Sequence, residues 1–529
     1  MTRAIVVGGG IAGLATAALL ARDGYEVELL EKNDELGGRT GSWESEGFRF
    51  DTGPSWYLMP EVFDHFFRLL GTTAEAELDL TLLDPGYRVF FEGADEPVEI
   101  TADVDETVAT FERIERGAGA RLREYLASAR ETYDIALKRF LYTSFQSKTT
   151  LARADVVRHA GRLVSLLVTP LDRFVAGYFR DNRLRQILGY PAVFLGSSPD
   201  RAPSMYHLMS HLDLADGVLY PQGGFVTIID AIARLARAEG VQIRTGATVT
   251  SIRTAGGSGR RRPNRTRVAG VTYRAADGTV HALDADVVVA AGDLHHTETT
   301  LLPRPLQTYP QEWWDKRQSG PGAVLVYLGV EGGLPELAHH SLFFTDDWAS
   351  NFDAIFGPGS SVPDPASIYV CKPSATDPSV APAGSENIFI LVPVPPDPGL
   401  GSGGLDGHGD AIVEKAADSA IDQLARWAQV PDLRDRIVVR RTVGPADFVD
   451  SYNSWSGGAL GPAHTWKQSA FLRGTNASKK VDGLLYAGGT TIPGIGLPMC
   501  LISAEIALKR LRSDRTTTPM AEPLVARRP

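Results

Sequence analysis

The first thirty residues carry three apolar segments in quick succession. Residues 4–7 are a short run of β-type residues, residues 12–23 are rich in alanine and leucine, and residues 26–30 end in two leucines. A short apolar run is typical of a buried strand, whereas an apolar segment of a dozen residues is typical of a buried helix. Gly24 stands where a helix commonly ends. The pattern therefore predicts a strand, a helix and a second strand.

Further along the chain, the apolar spacing predicts more helices and strands. Residues 60–70, 105–140 and 225–238 have helical spacing. Strands are predicted at 242–244, 249–253, 267–273 and 286–291, and longer strands of a second sheet at 323–330 and 388–394. The remaining composition indicates an exposed hairpin tip at 256–265, a Pro/Gly-rich connection at 395–409 and a frayed tail after Arg512.

Composition and charge narrow the class of protein. The chain has 529 residues, which is enough for several domains, and 53 basic against 64 acidic residues give a net charge of −11. A nucleic-acid binder normally carries a basic balance, so that class is excluded. The two cysteines, Cys371 and Cys500, are too few for a disulfide framework and fit a reducing cytoplasm.

One stretch raises a targeting alternative. Residues 4–21 contain no charged residue, which by length also suits a signal peptide or a short membrane span. Arg3 is the only basic residue before this stretch, and Gly8, Gly9, Gly10 and Gly13 lie within it. A strand that runs into a buried helix explains this composition better. No other stretch is long enough to span a bilayer, so any membrane contact is expected to be peripheral.

Gly8, Gly10 and Gly13 form a G-x-G-x-x-G motif between the first predicted strand and helix. In this context the first glycine permits a tight turn, the second lets the backbone approach a pyrophosphate, and the third lets the helix pack close to the strand. The helix N-terminus offers free N–H groups and a partial positive charge to phosphates. Glu31, 18 residues after Gly13, can accept hydrogen bonds from ribose hydroxyls and disfavours a 2′-phosphate. The sequence therefore predicts a dinucleotide site.

A second glycine loop and the far end of the chain favour a flavin over a nicotinamide. Gly37, Gly38 and Arg39 follow Glu31 closely, and Arg39 can hold a pyrophosphate through its fork of donors. Near the other terminus, glycines at 488, 489, 494 and 496 let the backbone lie against a flat ring. A helix predicted at 499–511 could direct its N-terminus at the flavin pyrimidine edge, which would favour the negatively charged reduced state.

Segments spread over nearly the whole chain match a known family in that family's order. They are VVGGGIAGL with LLEKNDELGGRTGSW, FRFDTGPS, YPQGGFVTIIDAIARLA, DADVVVAAGD, GGALGPAHTWKQSAFLR and LLYAGGTTIPGIGLPMCLISAE. In these segments the chain resembles the bacterial-type phytoene desaturases of the FAD-dependent amine oxidase superfamily. Ile492 and Met499 stand where many of these desaturases have His and Gly, which indicates a subgroup.

The resemblance implies an α/β fold, with a Rossmann-like FAD-binding domain and an inserted α+β substrate domain. The implied FAD domain comprises residues 1–100, 215–300 and 440–512, the substrate and membrane-associating domain 101–214 and 301–439, and a flexible tail 513–529. The resemblance also implies non-covalent FAD, with contacts from Gly8, Gly10, Gly13, Glu31, Gly38, Arg39, Val249, Asp482, Gly489, Thr490, Ile495 and Pro498.

The implied reaction is desaturation of a C40 isoprenoid, from phytoene toward lycopene. A hydride leaves for the flavin and a proton leaves the neighbouring carbon, and oxygen or a quinone then accepts the electrons. A carotene has no polar group, so we expect a long apolar tunnel, with candidate lining at 193–195, 325–327 and 343–344 that also fits plain core. His464 is the one histidine expected near the flavin with a catalytic or a structural role.

Two pairs of adjacent histidines raise the question of a metal. They are His295 with His296 and His339 with His340. Neighbouring side chains on a regular element point apart, so no metal site is expected.

Residues 153–179 suggest how the protein reaches a lipid-dissolved substrate. Arg158 and Arg162 lie four residues apart among apolar residues that include Leu166 and Leu167. A basic amphipathic segment can lie in the membrane interface, while a helix packed on the substrate domain explains the same pattern. The expected location is cytoplasmic, with peripheral attachment to the cytoplasmic membrane. Alternative functions are an amine or porphyrinogen oxidase, a carotenoid-tailoring oxygenase and a flavin-bound lipid carrier without turnover.

Overall fold

The computed structural model describes residues 2–146, 160–256 and 266–526. Residues 153–159 of the predicted membrane segment and 257–265 of the predicted hairpin tip lie outside the described residues. Within the described ranges, the longer helices span Ile11–Arg22, Pro60–Leu69, Val104–Ile114, Ala118–Ala136, Ala160–Val168, Asn182–Gly189, Val226–Ala238, Trp348–Phe356, Ala411–Trp427, Pro445–Tyr452 and Leu497–Leu511.

A parallel sheet brings the two ends of the chain together. Among the described residues its strands stand in the order Leu484–Tyr486, Val287–Ala290, Arg3–Val7, Glu26–Leu30 and Gln242–Arg244. The helix Ile11–Arg22 completes the predicted strand, helix and strand at the start of the chain. It is buried along most of its length because it packs against the helices Val226–Ala238 and Leu497–Leu511 as well as the sheet.

A larger mixed sheet forms a second layer. Its strands stand in the order Ile437–Val443, Gly322–Glu331, Ser385–Val394, Ile368–Cys371, His340–Phe344, Tyr87–Phe91 and Val98–Ile100. The predicted long strands of a second sheet are confirmed, and they pair with each other along their whole length. Tyr87–Phe91 and Val98–Ile100 hydrogen-bond in this sheet, although the predicted domain boundaries count them with the FAD-binding part.

Short sheets connect these layers. Thr248–Ala255, Thr266–Arg274 and Val280–Asp284 form an antiparallel sheet, and Val481–Asp482 lies beside its middle strand. Two ribbons pair Ser42–Ser45 with Phe48–Asp51 and Leu80–Leu82 with Leu219–Pro221.

Apolar side chains cover both faces of the mixed sheet. One face packs on the helices Val104–Ile114 and Ala118–Ala136, and the other packs on Ala411–Trp427. The sequence predicts one helix over 105–140, but Gly117 divides it because its φ of 80° is a left-handed conformation that glycine adopts readily. Among the residues that the structure describes, no helix is long and apolar enough to cross a bilayer.

The described residues after Arg512 pack on the protein where the sequence predicts a frayed tail. Leu524 is 3% exposed, and its N–H donates to the carbonyl oxygen of Leu69 at 3.0 Å. The buried Lys509 ammonium donates to the carbonyl oxygens of Thr516 (3.0 Å) and Thr518 (2.7 Å). The polar tail therefore orders because it supplies acceptors to a buried cation.

Candidate functional site

The turn between the first strand and the first helix is shaped by the three motif glycines. Gly8 has a φ of +106°, which a residue with a side chain adopts only with strain. A Cβ at Gly13 would lie 1.9 Å from the carbonyl oxygen of Gly8, whereas the nearest atom to a Cβ at Gly10 is the Gly37 oxygen at 3.7 Å. Gly13 therefore serves helix packing, and Gly10 leaves open space at the helix start, where it lines a cavity.

Glu31 lies buried at the end of the second strand and lines the same cavity. One carboxylate oxygen accepts the N–H of Gly9 at 2.6 Å, and the other accepts the N–H of Asn33 at 2.8 Å. These bonds hold the carboxylate in one orientation, and each oxygen keeps a lone pair for another donor. Val249 lines the cavity together with Glu31, and its contact with an adenine stays a prediction.

The second glycine loop lies on the first. The N–H of Gly37 donates to the carbonyl oxygen of Gly9 at 2.9 Å, and Gly38 approaches Gly10 closely. Arg39 donates to the Ser454 hydroxyl at 2.9 Å, while its Nε is buried without a hydrogen-bond partner among the described residues. The guanidinium thus keeps a donor available, and Arg39 lines the same cavity as Gly10.

The glycine turn near the C-terminus closes the same cavity from the other side. Gly489, Thr490, Ile495 and Pro498 line it, and their contacts with FAD stay a prediction. The helix Leu497–Leu511 begins here without a side-chain cap, so the N–H groups of its first turn have no side-chain acceptor at the cap. Asp482 is not part of this lining; it stands exposed on the short strand beside Thr266–Arg274.

His464 lies against this last turn. A Cβ at Gly494 would lie 2.4 Å from the His464 ring, so only glycine lets the imidazole pack here. The N–H of Ile495 donates to Nε2 at 3.4 Å, and Nδ1 shares a hydrogen bond of 2.5 Å with the Tyr206 hydroxyl. Burial, followed by the nearby Arg473 charge, holds the pKa of His464 well below its usual range. The ring is neutral, and because Nε2 accepts, Nδ1 carries the proton and donates to Tyr206.

Arg473 is a buried residue that the sequence reasoning did not single out. It is 5% exposed, and it donates to the carbonyl oxygens of Pro462 (3.0 Å) and Gly489 (2.8 Å). Burial lowers the pKa of Arg473 to about 10, which leaves the guanidinium charged at neutral pH. A positive charge therefore stands behind the glycine turn. The sequence does point to Arg473 in one way, because it is the last residue of segment 457–473, which resembles the desaturase family.

The cavity has a volume of about 540 Å³ and joins these polar groups to an apolar chamber. Of the predicted tunnel residues, Val193, Phe194, Leu195 and Leu325 line it. Phe343 and Phe344 instead lie in the cores on opposite faces of the mixed sheet, because neighbouring strand residues point to opposite faces. Further apolar lining comes from Leu58, Met59, Leu208, Met209, Leu212, Phe389 and Leu391.

Exposed apolar side chains stand on the loop that supplies His464 and Ala470 to the cavity wall. We call Trp466, Phe471 and Leu472 the rim patch; they are 56%, 47% and 40% exposed. Phe145 lines the cavity and lies 6.0 Å from Phe471 between ring centroids, and Ala470, which precedes Phe471, also lines the cavity. Phe471 therefore links the rim patch to a residue of the cavity wall.

His339 and His340 do not point apart, so that sequence prediction is wrong. Their ring centroids are 4.6 Å apart and both side chains are buried. The alternation of a strand does not apply, because His339 precedes the strand that begins at His340. Cys371 lies directly opposite His340 on the neighbouring antiparallel strand.

Comparison with known proteins assigns the family. Residues 11–510 match the model of the family described as flavin containing amine oxidoreductase. The chain belongs to this family. It is thus a flavin-dependent oxidoreductase, and the predicted α/β class is confirmed.

The curated relatives extend over nearly the whole chain. A carotenoid 3,4-desaturase of Haloarcula japonica is 41% identical over 509 residues, which cover 96% of this chain and 98% of that protein. A zeta-carotene-forming phytoene desaturase of Myxococcus xanthus is 35% identical, with 96% and 93% covered. A phytoene desaturase of Fusarium fujikuroi is 32% identical, with 96% and 89% covered. The resemblance to carotenoid desaturases is confirmed.

Solved structures show the same fold in enzymes with other substrates. A putrescine oxidase double mutant matches with a TM-score of 0.60 at 14% identity, covering 97% of this chain and 99% of that one. A putative protoporphyrinogen oxidase from Exiguobacterium matches with a TM-score of 0.55 at 16% identity, covering 97% and 99%. At these identities the likeness concerns the fold alone.

Proposed function

We propose that this protein is an FAD-dependent desaturase of a C40 carotenoid. The observation that carries the proposal is a single cavity lined by two glycine turns, by the buried Glu31 carboxylate and by an apolar chamber. An apolar wall suits a hydrocarbon substrate. The relatives are named for phytoene and carotenoid desaturation, which supports the same substrate class for this chain.

The residues of the cavity fit FAD. The open space at Gly10, beside the uncapped start of the helix Ile11–Arg22, suits a pyrophosphate, and the unpaired Nε of Arg39 can donate to it. The Glu31 oxygens retain lone pairs for ribose hydroxyls. We assign the ADP side to Gly8, Gly10, Glu31, Gly38, Arg39 and Val249, and the flavin side to Gly489, Thr490, Ile495 and Pro498. When bound, FAD supplies the acceptor for the hydride.

Two positive features at the assigned flavin side favour electron acceptance. The helix Leu497–Leu511 presents the positive end of its dipole to the cavity. The Arg473 guanidinium adds a full charge behind Gly489. A reduced flavin ring carries negative charge, so both features stabilise the state that exists after hydride transfer.

We infer that His464 takes up the proton of the reaction. Desaturation removes a hydride and a proton from adjacent carbons, and the pair of electrons left by the proton forms the new double bond. Loss of the hydride leaves a cationic carbon, which makes the C–H bond of the neighbouring carbon strongly acidic, so a neutral imidazole suffices as base. Nε2 of His464 is available, because its bond from the Ile495 N–H is long at 3.4 Å. The Nδ1 bond to Tyr206 orients the ring.

Expression beside a phytoene-producing pathway tests the proposal. The expected result is coloured carotenoids whose masses fall by two hydrogens per step. Colourless extracts from cells that contain soluble, flavin-loaded protein would contradict it.

A variant separates the proposed base from the cofactor site. His464→Ala should lower the turnover about 100-fold, the scale of general acid–base catalysis, while the bound flavin per chain stays unchanged. An unaltered rate in this variant would remove His464 from the reaction.

Two positions are candidates for the new double bond, the interior of the carotenoid chain and its end. The 41% identical relative is a 3,4-desaturase, while the relatives at 35% and 32% are phytoene desaturases. Supplying purified protein with phytoene and, separately, with lycopene distinguishes desaturation at the chain interior from desaturation at its end. Oxygen or a quinone is the proposed final acceptor, and anaerobic turnover with and without added quinone separates the two.

We also propose that the rim patch docks on a membrane surface, because a carotenoid is dissolved in lipid and must reach the apolar chamber. Lys467 lies within the loop that carries the patch and can interact with anionic lipid. The helix Ala160–Val168, which lies in the segment predicted to meet the membrane, separately exposes Val164 and Val168, at 58% and 65%. Leu166, which the sequence analysis places among the membrane-facing residues, is instead buried at 4% exposure.

Sedimentation with vesicles of phosphatidylglycerol tests the docking surface. Replacing both Trp466 and Phe471 by Asp should strongly reduce the bound fraction without loss of flavin. Val280→Asp is the matched control, since Val280 is 65% exposed on the small antiparallel sheet and does not line the cavity. Equal binding of both variants would exclude the rim patch.

A further inference from the structure

Two histidines and a cysteine meet in the interior beside the cavity wall. His340 and Cys371 are directly opposed on antiparallel strands, which brings their side chains together on one face. His339, just before the strand, turns to the same place. The three residues are 4%, 0% and 1% exposed in chain order, and one ring nitrogen of each histidine lies within 4.8 Å of the other and of the Cys371 Sγ.

Both imidazoles leave one nitrogen unused. His339 Nδ1 hydrogen-bonds the Thr376 hydroxyl at 2.8 Å, and His340 Nδ1 hydrogen-bonds the Tyr369 hydroxyl at 2.8 Å. The two Nε2 atoms are buried and have no hydrogen-bond partner among the described residues. Buried polar atoms are normally paired, so an unpaired nitrogen on each of two neighbouring rings points to an additional ligand. Histidines that bind a metal typically have the other ring nitrogen held by a hydrogen bond, as both are here.

Charges of both signs act on the cluster. At His339 the Lys372 charge acts more strongly than the Asp377 carboxylate. The Asp51 carboxyl lies near Cys371, and burial raises the pKa of Asp51 to about 7. The Lys372 ammonium is engaged by the Leu334 carbonyl oxygen at 2.6 Å and by Glu386 at 3.6 Å.

We propose that His339, His340 and Cys371 form a zinc-binding site that is separate from the flavin site. Two imidazole nitrogens and one thiolate are a ligand set that Zn²⁺ prefers, with a fourth position left for water. Binding breaks the Cys371 S–H bond, forms a sulfur–zinc bond and releases one proton to solvent. No electron is transferred, because zinc has one stable oxidation state in proteins.

Zinc at His340 Nε2 would set the hydrogen bonds of the cavity wall. The His340 proton then resides on Nδ1 and donates to the Tyr369 oxygen. The Tyr369 hydroxyl in turn donates to the Ser55 oxygen, 2.6 Å away. Tyr369 and Ser55 both line the cavity, so the metal would hold one side of the chamber in a single arrangement.

Metal analysis of the flavin-loaded protein tests the site. The protein is stripped with a chelator under reducing conditions, dialysed against zinc chloride and measured by plasma mass spectrometry. We expect one zinc per chain for wild type. Cys371→Ser and His339→Ala should each retain at least about tenfold less zinc per chain than wild type. Even the loss of a group outside the ligand set lowers metal affinity about 10–100-fold. The matched controls Cys500→Ala and His408→Ala, which alter the other cysteine and an exposed histidine, should keep the full zinc content.

Cobalt in place of zinc gives a second readout that needs no destabilising variant. A thiolate-to-cobalt charge-transfer band, with ligand-field bands at longer wavelength than the flavin, should appear in wild type and persist in Cys500→Ala. Because the chain has two cysteines, that result assigns the band to Cys371. Wild type with no zinc above background, or full zinc content in both ligand variants, would overturn the proposal. Binding of Cu⁺ without zinc would overturn the assignment to zinc.

Discussion

Replacing Gly10 and Gly13 by alanine should separate cofactor binding from folding. The two residues belong to one motif, yet their surroundings differ. A Cβ at Gly13 would lie 1.9 Å from a backbone oxygen of Gly8, whereas a Cβ at Gly10 would meet no protein atom closer than 3.7 Å. Gly10→Ala therefore places its methyl group in the space that we assign to the pyrophosphate, and Gly13→Ala places it inside the protein.

The expected magnitudes follow from these distances. Gly13→Ala is an overpacking change against a backbone atom that cannot rotate away, so the flavin-free protein should lose about 3 kcal/mol, the upper end of such changes. Gly10→Ala should alter the stability of the flavin-free protein by no more than about 0.5 kcal/mol. It should cost flavin binding one charge-assisted hydrogen bond, about 1.5–3 kcal/mol, which corresponds to a Kd raised roughly 10- to 150-fold.

Urea unfolding of the flavin-free protein and fluorescence titration with FAD measure the two effects. Gly333→Ala is the matched control, because a Cβ there meets no atom within 4 Å. Wild-type FAD affinity in Gly10→Ala would refute the assignment of this turn to the pyrophosphate. Equal destabilisation by the Gly10 and Gly13 variants would refute the division of roles.

Two further predictions concern buried ionisable side chains, Asp213 and Lys509. Burial raises the pKa of Asp213 to about 7, above the value of about 3.9 in an unfolded chain. Between these two values the native state binds a proton that the unfolded state has released. The resulting stabilisation is at most about 4 kcal/mol; it is complete below about pH 3.9 and is lost as the pH rises through about 7. Asp213→Asn, which keeps an acceptor for the Tyr87 hydroxyl, should remove this slope in urea midpoints between about pH 5 and pH 8; parallel profiles would contradict the expectation. Truncation after Arg512 deprives the buried Lys509 ammonium of two carbonyl acceptors and should cost about 3 kcal/mol or more. Lys509→Met should recover much of that loss, and an unchanged midpoint on truncation would show that the tail contributes nothing.

Local patterns predicted the parts of the site that depend on short stretches of chain. The spacing of Gly8, Gly10 and Gly13 between a strand and a helix depends on backbone geometry within one turn, so the motif could be recognised directly. Glu31 could be placed because the strand that carries it pairs with the first strand. The second sheet was predictable from long apolar runs, since its strands are covered on both faces.

Contacts between distant segments could not be predicted in this way. The bond between Tyr206 and His464 joins residues 258 positions apart, and no spacing rule relates them. Arg473 carries its charge into the interior because carbonyl oxygens from two loops converge on it, which becomes visible only after folding. The clustering of His339 with His340 depends on where a strand begins. A shift of one residue in that boundary reverses the expected side-chain direction.

The parallel sheet has a consequence for biosynthesis. Its outermost strand, Leu484–Tyr486, is made from the last tenth of the polypeptide and pairs beside strands translated much earlier. A nascent chain on the ribosome lacks that strand and the helix after it until translation is nearly complete. On the proposed assignment of the flavin side, the cofactor site is completed only after this segment has been made, and a product terminated before Leu484 should emerge colourless. Colour in the purified protein would thus report that the strand Leu484–Tyr486 and the helix Leu497–Leu511 are present and folded.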